Sequence, residues 1–210
     1  MEIKNLKQRS KQWYAHRIKY VNATEIASIT NNDKYRSINQ LIHDKLFGTS
    51  FTGNKYTDYG ILMEPQAKQF FETLTKYKFD PTIFIDDTET FSASLDGYNA
   101  ETNTILEIKA PFTDENKRVS KSWDNFLTNR EIPINYYSQI QCQLYCSKAK
   151  LAYFLVYFSE TNYYIEKVYL NPEFIQTMLK CTKKYLEFYQ LVKTELLNTT
   201  FVKLLAKKNI

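Results

Sequence analysis

Three residues have the types and spacing for hydrolytic chemistry. Asp96 lies in the run Ser94-Leu95-Asp96-Gly97, and Glu107 and Lys109 lie in Ile105-Leu106-Glu107-Ile108-Lys109. On a β-strand, side chains alternate between faces at about 3.3 Å per residue. Glu107 and Lys109 then share one face, while Leu106, Ile108 and Ala110 turn toward a core. A hairpin returning through Asp96 sets a second carboxylate beside them. A hard divalent cation takes oxygen ligands and completes its shell with water and substrate phosphate, and a neighbouring ammonium can orient the attacking water. Two carboxylates and a lysine are the minimum set for metal-assisted phosphodiester hydrolysis.

Those groups need a scaffold, and the hydrophobic pattern predicts one. Leu62, Ala67, Phe70, Phe71 and Leu74 recur at helical spacing and predict a helix over residues 60–77, with Pro65 tolerable only within the first turn or so. After the Asp80-Pro81 break, residues 82–85, 90–95 and 104–110 read as three strands of an antiparallel meander. Residues 115–130 and 134–146 read as helices divided by Pro133, and 151–158 and 163–170 as strands joined by a Ser159-Glu160-Thr161-Asn162 turn. Asn171 then caps a long helix with Pro172 at its first position and an apolar stripe through Phe174, Met178, Leu179, Cys181, Tyr185, Leu186 and Tyr189. Strands clustered between helices predict an α+β, α/β/α layered fold with a central mixed sheet flanked by helices. A single domain is expected over residues 1–210, with a C-terminal helix and tail from about 172.

Composition narrows the chemistry further. The 210 residues, 43% hydrophobic and 24% charged, suit one core. The longest apolar run, Leu151 to Phe158, is far short of the roughly 20 residues that cross a bilayer, and Met1 to Ser10 has no apolar signal core. A cytoplasmic protein with no membrane partner is the expectation. Cys142, Cys146 and Cys181 form no C-x-x-C pair, which argues against a disulfide framework or an iron–sulfur site. Four glycines without a phosphate-cradling array argue against nucleotide cofactors. His16 and His43 form no H-x-x-x-H, and there is no G-x-S-x-G, so the chemistry falls to carboxylates and lysines. A net charge of +5 is permissive for a polyanionic partner.

Four motifs in order carry a family resemblance. They are Trp13, Arg17 and Asn22-Ala23-Thr24-Glu25; Asp58-Tyr59-Gly60-Ile61-Leu62-Met63-Glu64-Pro65-Gln66-Ala67; the Asp96…Glu107-x-Lys109 hairpin; and Tyr137-Ser138-Gln139-Ile140-Gln141-Cys142-Gln143-Leu144. Together, from about Trp13 to about Tyr189, they resemble the lambda-exonuclease-like, YqaJ-type viral recombinase branch of the PD-(D/E)XK nucleases. The run Glu107-Ile108-Lys109-Ala110-Pro111-Phe112-Thr113 is similar to the lambda enzyme's active-site strand and following turn.

The resemblance implies a restriction-endonuclease-like core and a catalytic set of Asp96, Glu107, Lys109, Gln141 and Glu64. Asp96, Glu107, the backbone carbonyl of Ile108 and Glu64 would hold Mg²⁺ or Mn²⁺, and Lys109 and Gln141 would position the water. Gln139 fits less well than Gln141, because two residues apart on a helix do not share a face. Arg17 and Thr24 match an Arg and a Ser that contact the terminal 5′ phosphate, Thr retaining the hydroxyl donor. Lys34 and Arg36 both fall where the family has a further basic residue. The implied function is 5′-to-3′ digestion of one strand from double-stranded DNA ends, by a homotrimeric ring partnered with a single-strand annealing recombinase in a bacterial or phage-infected cell. An endonuclease, nickase or CRISPR-type processing nuclease on the same fold is the enzymatic alternative, and a non-catalytic DNA-end-binding module the other. The tail from Leu196, with Phe201, Leu204, Leu205, Lys203, Lys207 and Lys208, is expected either to dock on a neighbouring subunit or to fray.

Overall fold

The computed structural model of the chain describes residues 1–3, 6–48, 52–116 and 118–199. Phe201 and the leucines and lysines after it therefore lie outside the described residues. The chain opens with β1 (Glu2–Ile3) and α1 (Lys11–Lys19), whose first turn is capped by the Ser10 hydroxyl accepting from Trp13 N–H. A two-residue β2 (Val21–Asn22), a 3₁₀ turn (Ala23–Glu25), α2 (Ile26–Ile29) and α3 (Ile38–Phe47) follow.

Next comes α4 (Lys55–Thr75), which starts earlier than the apolar spacing predicts. Asn54 accepts from the N–H groups of Tyr56 and Thr57, and the Thr57 hydroxyl accepts from Asn54 N–H, a reciprocal cap that fixes the start. Pro65 consequently sits in the middle of the helix rather than its first turn. It withholds a hydrogen bond from the Ile61 carbonyl; Ile61 and Pro65 are exposed, so water can serve that carbonyl.

The meander follows as expected, in β3 (Asp80–Ile85), β4 (Phe91–Asn99) and β5 (Thr104–Lys109), antiparallel throughout. Its first turn is closed by Asp86, whose carboxylate accepts from the N–H groups of Thr88, Thr90 and Phe91. The described residues between 115 and 120 are not helical: Thr113 and Val119 form a β-bridge around an Asp114 turn, and a 3₁₀ turn (Lys121–Trp123) leads into a short α5 (Asp124–Asn129). After α6 (Ile134–Ser147), β6 (Leu151–Ser159) returns parallel to β5, and β7 (Asn162–Val168) pairs with it antiparallel. Asn171 accepts from Glu173 and Phe174 N–H groups and caps α7 (Pro172–Asn198) as the sequence predicts.

The sheet runs β1-β3-β4-β5-β6-β7, with β2 alongside the start of β4 in parallel, which the sequence reading does not anticipate. Burial divides it between two cores. Ile105, Phe154, Val156 and Leu95 join Ile26, Ile140, Leu144 and Met178 beneath α2, α6 and α7. Leu106, Ile108, Leu155 and Tyr157 join Ala67 and Phe71 beneath α4. The chain is thus a mixed sheet flanked by helices on both faces, the α+β layered arrangement expected. Among the described residues, no helix is long and apolar enough to cross a membrane.

Candidate active site

The alternation in β5 is the one its sequence dictates. Leu106 and Ile108 enter the α4-side core, while Glu107 points to the α6 side with Ile105. The β4–β5 ladder holds from Asn99↔Thr104 to Gly97↔Leu106 and then stops. At that point the strands part, and the Asp96 side chain takes over the pairing: its Oδ2 accepts from Ile108 N–H at 2.7 Å. Gly97 allows the close approach behind it, since a Cβ there would lie 2.5 Å from Phe79 Cβ. Ile108, next to last in β5, lies opposite Leu155 of β6, directly after Glu107 in the chain and bonded through its N–H to Asp96.

Glu107 is only 1% exposed and survives there because donors surround it. Its Oε1 accepts from Lys109 Nζ and from Gln139 Nε2 at 2.8 Å, and its Oε2 accepts from Gln143 Nε2 at 2.6 Å. Burial raises the Asp96 pKa well above the usual carboxylate range and the Glu107 charge adds to it, against the pull of Lys109. Burial works against the Lys109 ammonium too, but the Glu107 and Asp96 carboxylates outweigh it and raise its pKa, so it stays charged. The Lys109 ammonium also lies 5.0 Å from the centroid of the Tyr136 ring.

This donor set fits a hard divalent cation. The carboxylates are desolvated and mutually repelling, which a cation between them would relieve. Among the described residues no three His, Cys, Asp or Glu side chains cluster as a metal cage. Asp96 and Glu107 would therefore hold the ion with the Ile108 carbonyl, water and a substrate phosphate completing the shell, the open arrangement Mg²⁺ favours. Glu64, expected among the metal ligands, lies on α4 ion-paired with Arg9 at 2.7 Å, and its charge helps raise the Asp96 pKa. One turn later, Lys68 feels both Asp96 and Glu64, though burial lowers its pKa overall. The sequence reading missed Lys68, which its i, i+4 spacing from Glu64 could have signalled.

Gln141 is a correction. It is fully buried on the opposite side of α6, where its Nε2 donates to the Tyr169 carbonyl at 2.8 Å and its Oε1 accepts from Asn171 N–H at 2.7 Å. It holds the turn from β7 into α7. Gln139 and Gln143, four residues apart and hence on one helical face, are the glutamines that reach the site. Two residues of offset turn Gln141 roughly 200° from either neighbour.

A second cluster joins Arg17 and Thr24. Arg17 Nη2 donates to Thr24 Oγ1 at 2.8 Å, and the guanidinium lies over the Trp13 ring, 4.5 Å from its centroid. Buried Asn22, Glu25 and Lys45 fix the backbone beneath: Asn22 Nδ2 and Lys45 Nζ both donate to the Arg17 carbonyl, and Lys45 pairs with Glu25 at 3.1 Å. Burial lowers the Arg17 pKa, with Glu25 opposing and Arg36 assisting. Of the two basic residues left open by the sequence, Arg36 joins this cluster, bonding the Thr24 carbonyl and Ser28 hydroxyl at 3.1 Å each. Lys34 faces a separate groove. Trp13 links the clusters, because its Nε1 donates to Ser94 Oγ at 2.9 Å, two residues before Asp96 on β4.

Solved structures share this fold. The alkaline exonuclease LHK-Exo of Laribacter hongkongensis, in a complex with dAMP, superposes with a TM-score of 0.74 at 22% identity, covering 93% of this chain and all of the other. A phage-related exonuclease from Haemophilus somnus superposes with a TM-score of 0.67 at 16% identity, covering 84% of this chain and 96% of that one. An uncharacterized protein of Acanthamoeba polyphaga mimivirus is 27% identical over 160 residues, 70% of this chain. This chain spans only 28% of that relative's length. Residues 12–150, from α1 through both clusters to the end of α6, match the model of the YqaJ-like viral recombinase domain, and the chain belongs to that family.

Proposed function

We propose that this protein is a Mg²⁺-dependent exonuclease that digests one strand of duplex DNA from its 5′ end, leaving a 3′ overhang for recombination by single-strand annealing. The observation that carries this reading is the coupling of two clusters through Trp13 and Ser94. Arg17, Thr24 and Arg36 offer a guanidinium-and-hydroxyl pocket suited to a terminal phosphate, and Asp96, Glu107 and Lys109 offer a hydrolytic centre on the adjoining strands. The exonucleases that share the fold support the same reading.

Mg²⁺, when bound, polarises the scissile phosphoryl group and lowers the pKa of the attacking water. Asp96 and Glu107 would hold it, and Mn²⁺ offers the same coordination chemistry. Gln139 and Gln143 keep the Glu107 carboxylate oriented, as outer partners of a metal ligand do. Lys109, whose ammonium form the neighbouring Glu107 and Asp96 carboxylates favour, would donate to the attacking water and hold it in line with the phosphorus. Arg17 and Thr24 would hold the 5′ phosphate so that cleavage is set at a fixed distance from the end. The family reading adds a ring of three copies around DNA and a single-strand annealing partner.

A gel assay tests the proposal, using linear duplex labelled at either end, with and without a 5′ phosphate, beside closed circular duplex and a chelated control. Progressive loss from the phosphorylated 5′ end, abolished by EDTA and by Lys109→Ala, is the expected result. Cutting of the circle would replace it with an endonuclease, loss from the 3′ end would reverse the polarity, and no metal-dependent loss would leave a DNA-end-binding module.

A further inference from the structure

We propose that the open groove between the 31–36 loop and the turn from β7 into α7 binds single-stranded DNA, with Tyr35 and Tyr169 stacking on bases and Lys34 and Lys167 contacting the backbone. The inference rests on the DNA reading above and adds to it a seat for the unpaired strand. The groove has a volume of about 780 Å³, and the first turn of α6 supplies its floor through Tyr136 and Tyr137. Tyr136, which lines the groove, also has its ring centroid 5.0 Å from Lys109 Nζ, so this one side chain is shared between the groove and the hydrolytic centre.

Two large rings stand unpacked on its rim, Tyr35 at 77% and Tyr169 at 63% exposure. Both stand on fixed backbone. Asp33 Oδ1 accepts from Tyr35 N–H at 2.8 Å and from Arg36 N–H at 3.2 Å, while its Oδ2 accepts from the Ser28 hydroxyl at 3.0 Å. On the other rim, Gln141 holds the Tyr169 carbonyl and the following Asn171 N–H. Exposed rings on pinned backbone lose little entropy when a partner stacks on them. Among the lining residues the charges are Lys34 and Lys167 against one carboxylate, Glu131, which is occupied by Asn125 Nδ2.

Ring faces beside cations suit unstacked bases and their phosphates, the combination by which single strands are held without sequence preference. Away from its ends a duplex offers base edges and phosphates to a protein, not base faces, so continuous duplex would leave both rings unused.

The test is fluorescence anisotropy of a labelled oligodeoxythymidine with the full chain in EDTA, so that nothing is cut. Tyr35→Ala and Tyr169→Ala should each weaken binding about tenfold, the size of one base stack, and Tyr35→Trp should restore it. Lys34→Ala and Lys167→Ala should each flatten the dependence of log K on log salt. Photo-crosslinking of a 5-iodouracil oligonucleotide should map to peptides holding Tyr35 or Tyr169. If the wild-type protein cuts duplex ends but the tyrosine variants bind as it does, or crosslinks map elsewhere, the groove inference falls while the nuclease reading stands. If the wild-type chain neither cuts nor binds DNA, the nuclease reading falls and takes the groove with it.

Discussion

Glu107 occupies a position that a carboxylate can hold only with help, since an isolated charge at 1% exposure would be untenable. Lys109, Gln139 and Gln143 supply that help from two elements. Gln143→Ala should leave Oε2 without its donor and lower metal-dependent cleavage by about 10–100-fold, the usual effect of losing an outer partner of a metal ligand. Titrating activity against Mg²⁺ should show a weaker apparent affinity as well. Gln141→Ala should do the reverse, costing about 1–3 kcal/mol in a denaturant melt by leaving the Tyr169 carbonyl and Asn171 N–H unpaired, with the rate per folded molecule little changed. Equal loss of rate in both variants would contradict this division of the glutamines. Arg17→Ala should erase the preference for a 5′-phosphorylated over a 5′-hydroxyl end while sparing the chemistry at unphosphorylated ends, read from the ratio of the two cleavage rates.

At the scale of elements, α4 and α6 illustrate two ways in which a sequence pattern is read correctly and still placed wrongly. The apolar spacing of α4 is plain, but the Asn54–Thr57 cap sets its start, and that cap moves Pro65 from a tolerated position into the interior. An interior proline costs a helix about 3 kcal/mol relative to alanine. Pro65→Ala, at an exposed site, should therefore raise stability by about 1–3 kcal/mol, seen as a higher denaturant midpoint with unchanged slope. In α6 the periodicity singles out Ile140 and Leu144 as core, and Gln139 and Gln143 as a shared face, yet which face meets β5 depends on how the helix packs. Gly97 likewise falls beyond the strand expected over residues 90–95, whereas it lies within β4, where the lack of a Cβ gives clearance for Phe79.

For the whole molecule, sheet and helices bring together segments far apart in the chain. Trp13 reaches Ser94, Arg36 reaches Thr24, and the 31–36 loop faces the end of β7 across the groove. The proposed ring of three copies belongs to this scale. Leu179, Leu186, Phe188, Leu191 and Leu197 of α7 are exposed. Light scattering after size exclusion should give a mass three times the 25.0 kDa of one chain, and a monomer at micromolar concentration would remove the ring from the proposal.

Strand alternation placed Glu107 and Lys109 on one face and the Asn171-Pro172 start marked α7, each from residues close together in sequence, while the order of motifs along the chain pointed to the family. The first two depend on a single element, whose local backbone and side-chain geometry sets them. The choice of Gln143 and Gln139 over Gln141, the recruitment of Arg36 rather than Lys34, the pairing of Glu64 with Arg9 and the existence of the groove came only from tertiary structure. A pattern gives an element's period but not its phase against a neighbour, and that phase is decided by packing between surfaces distant in the chain.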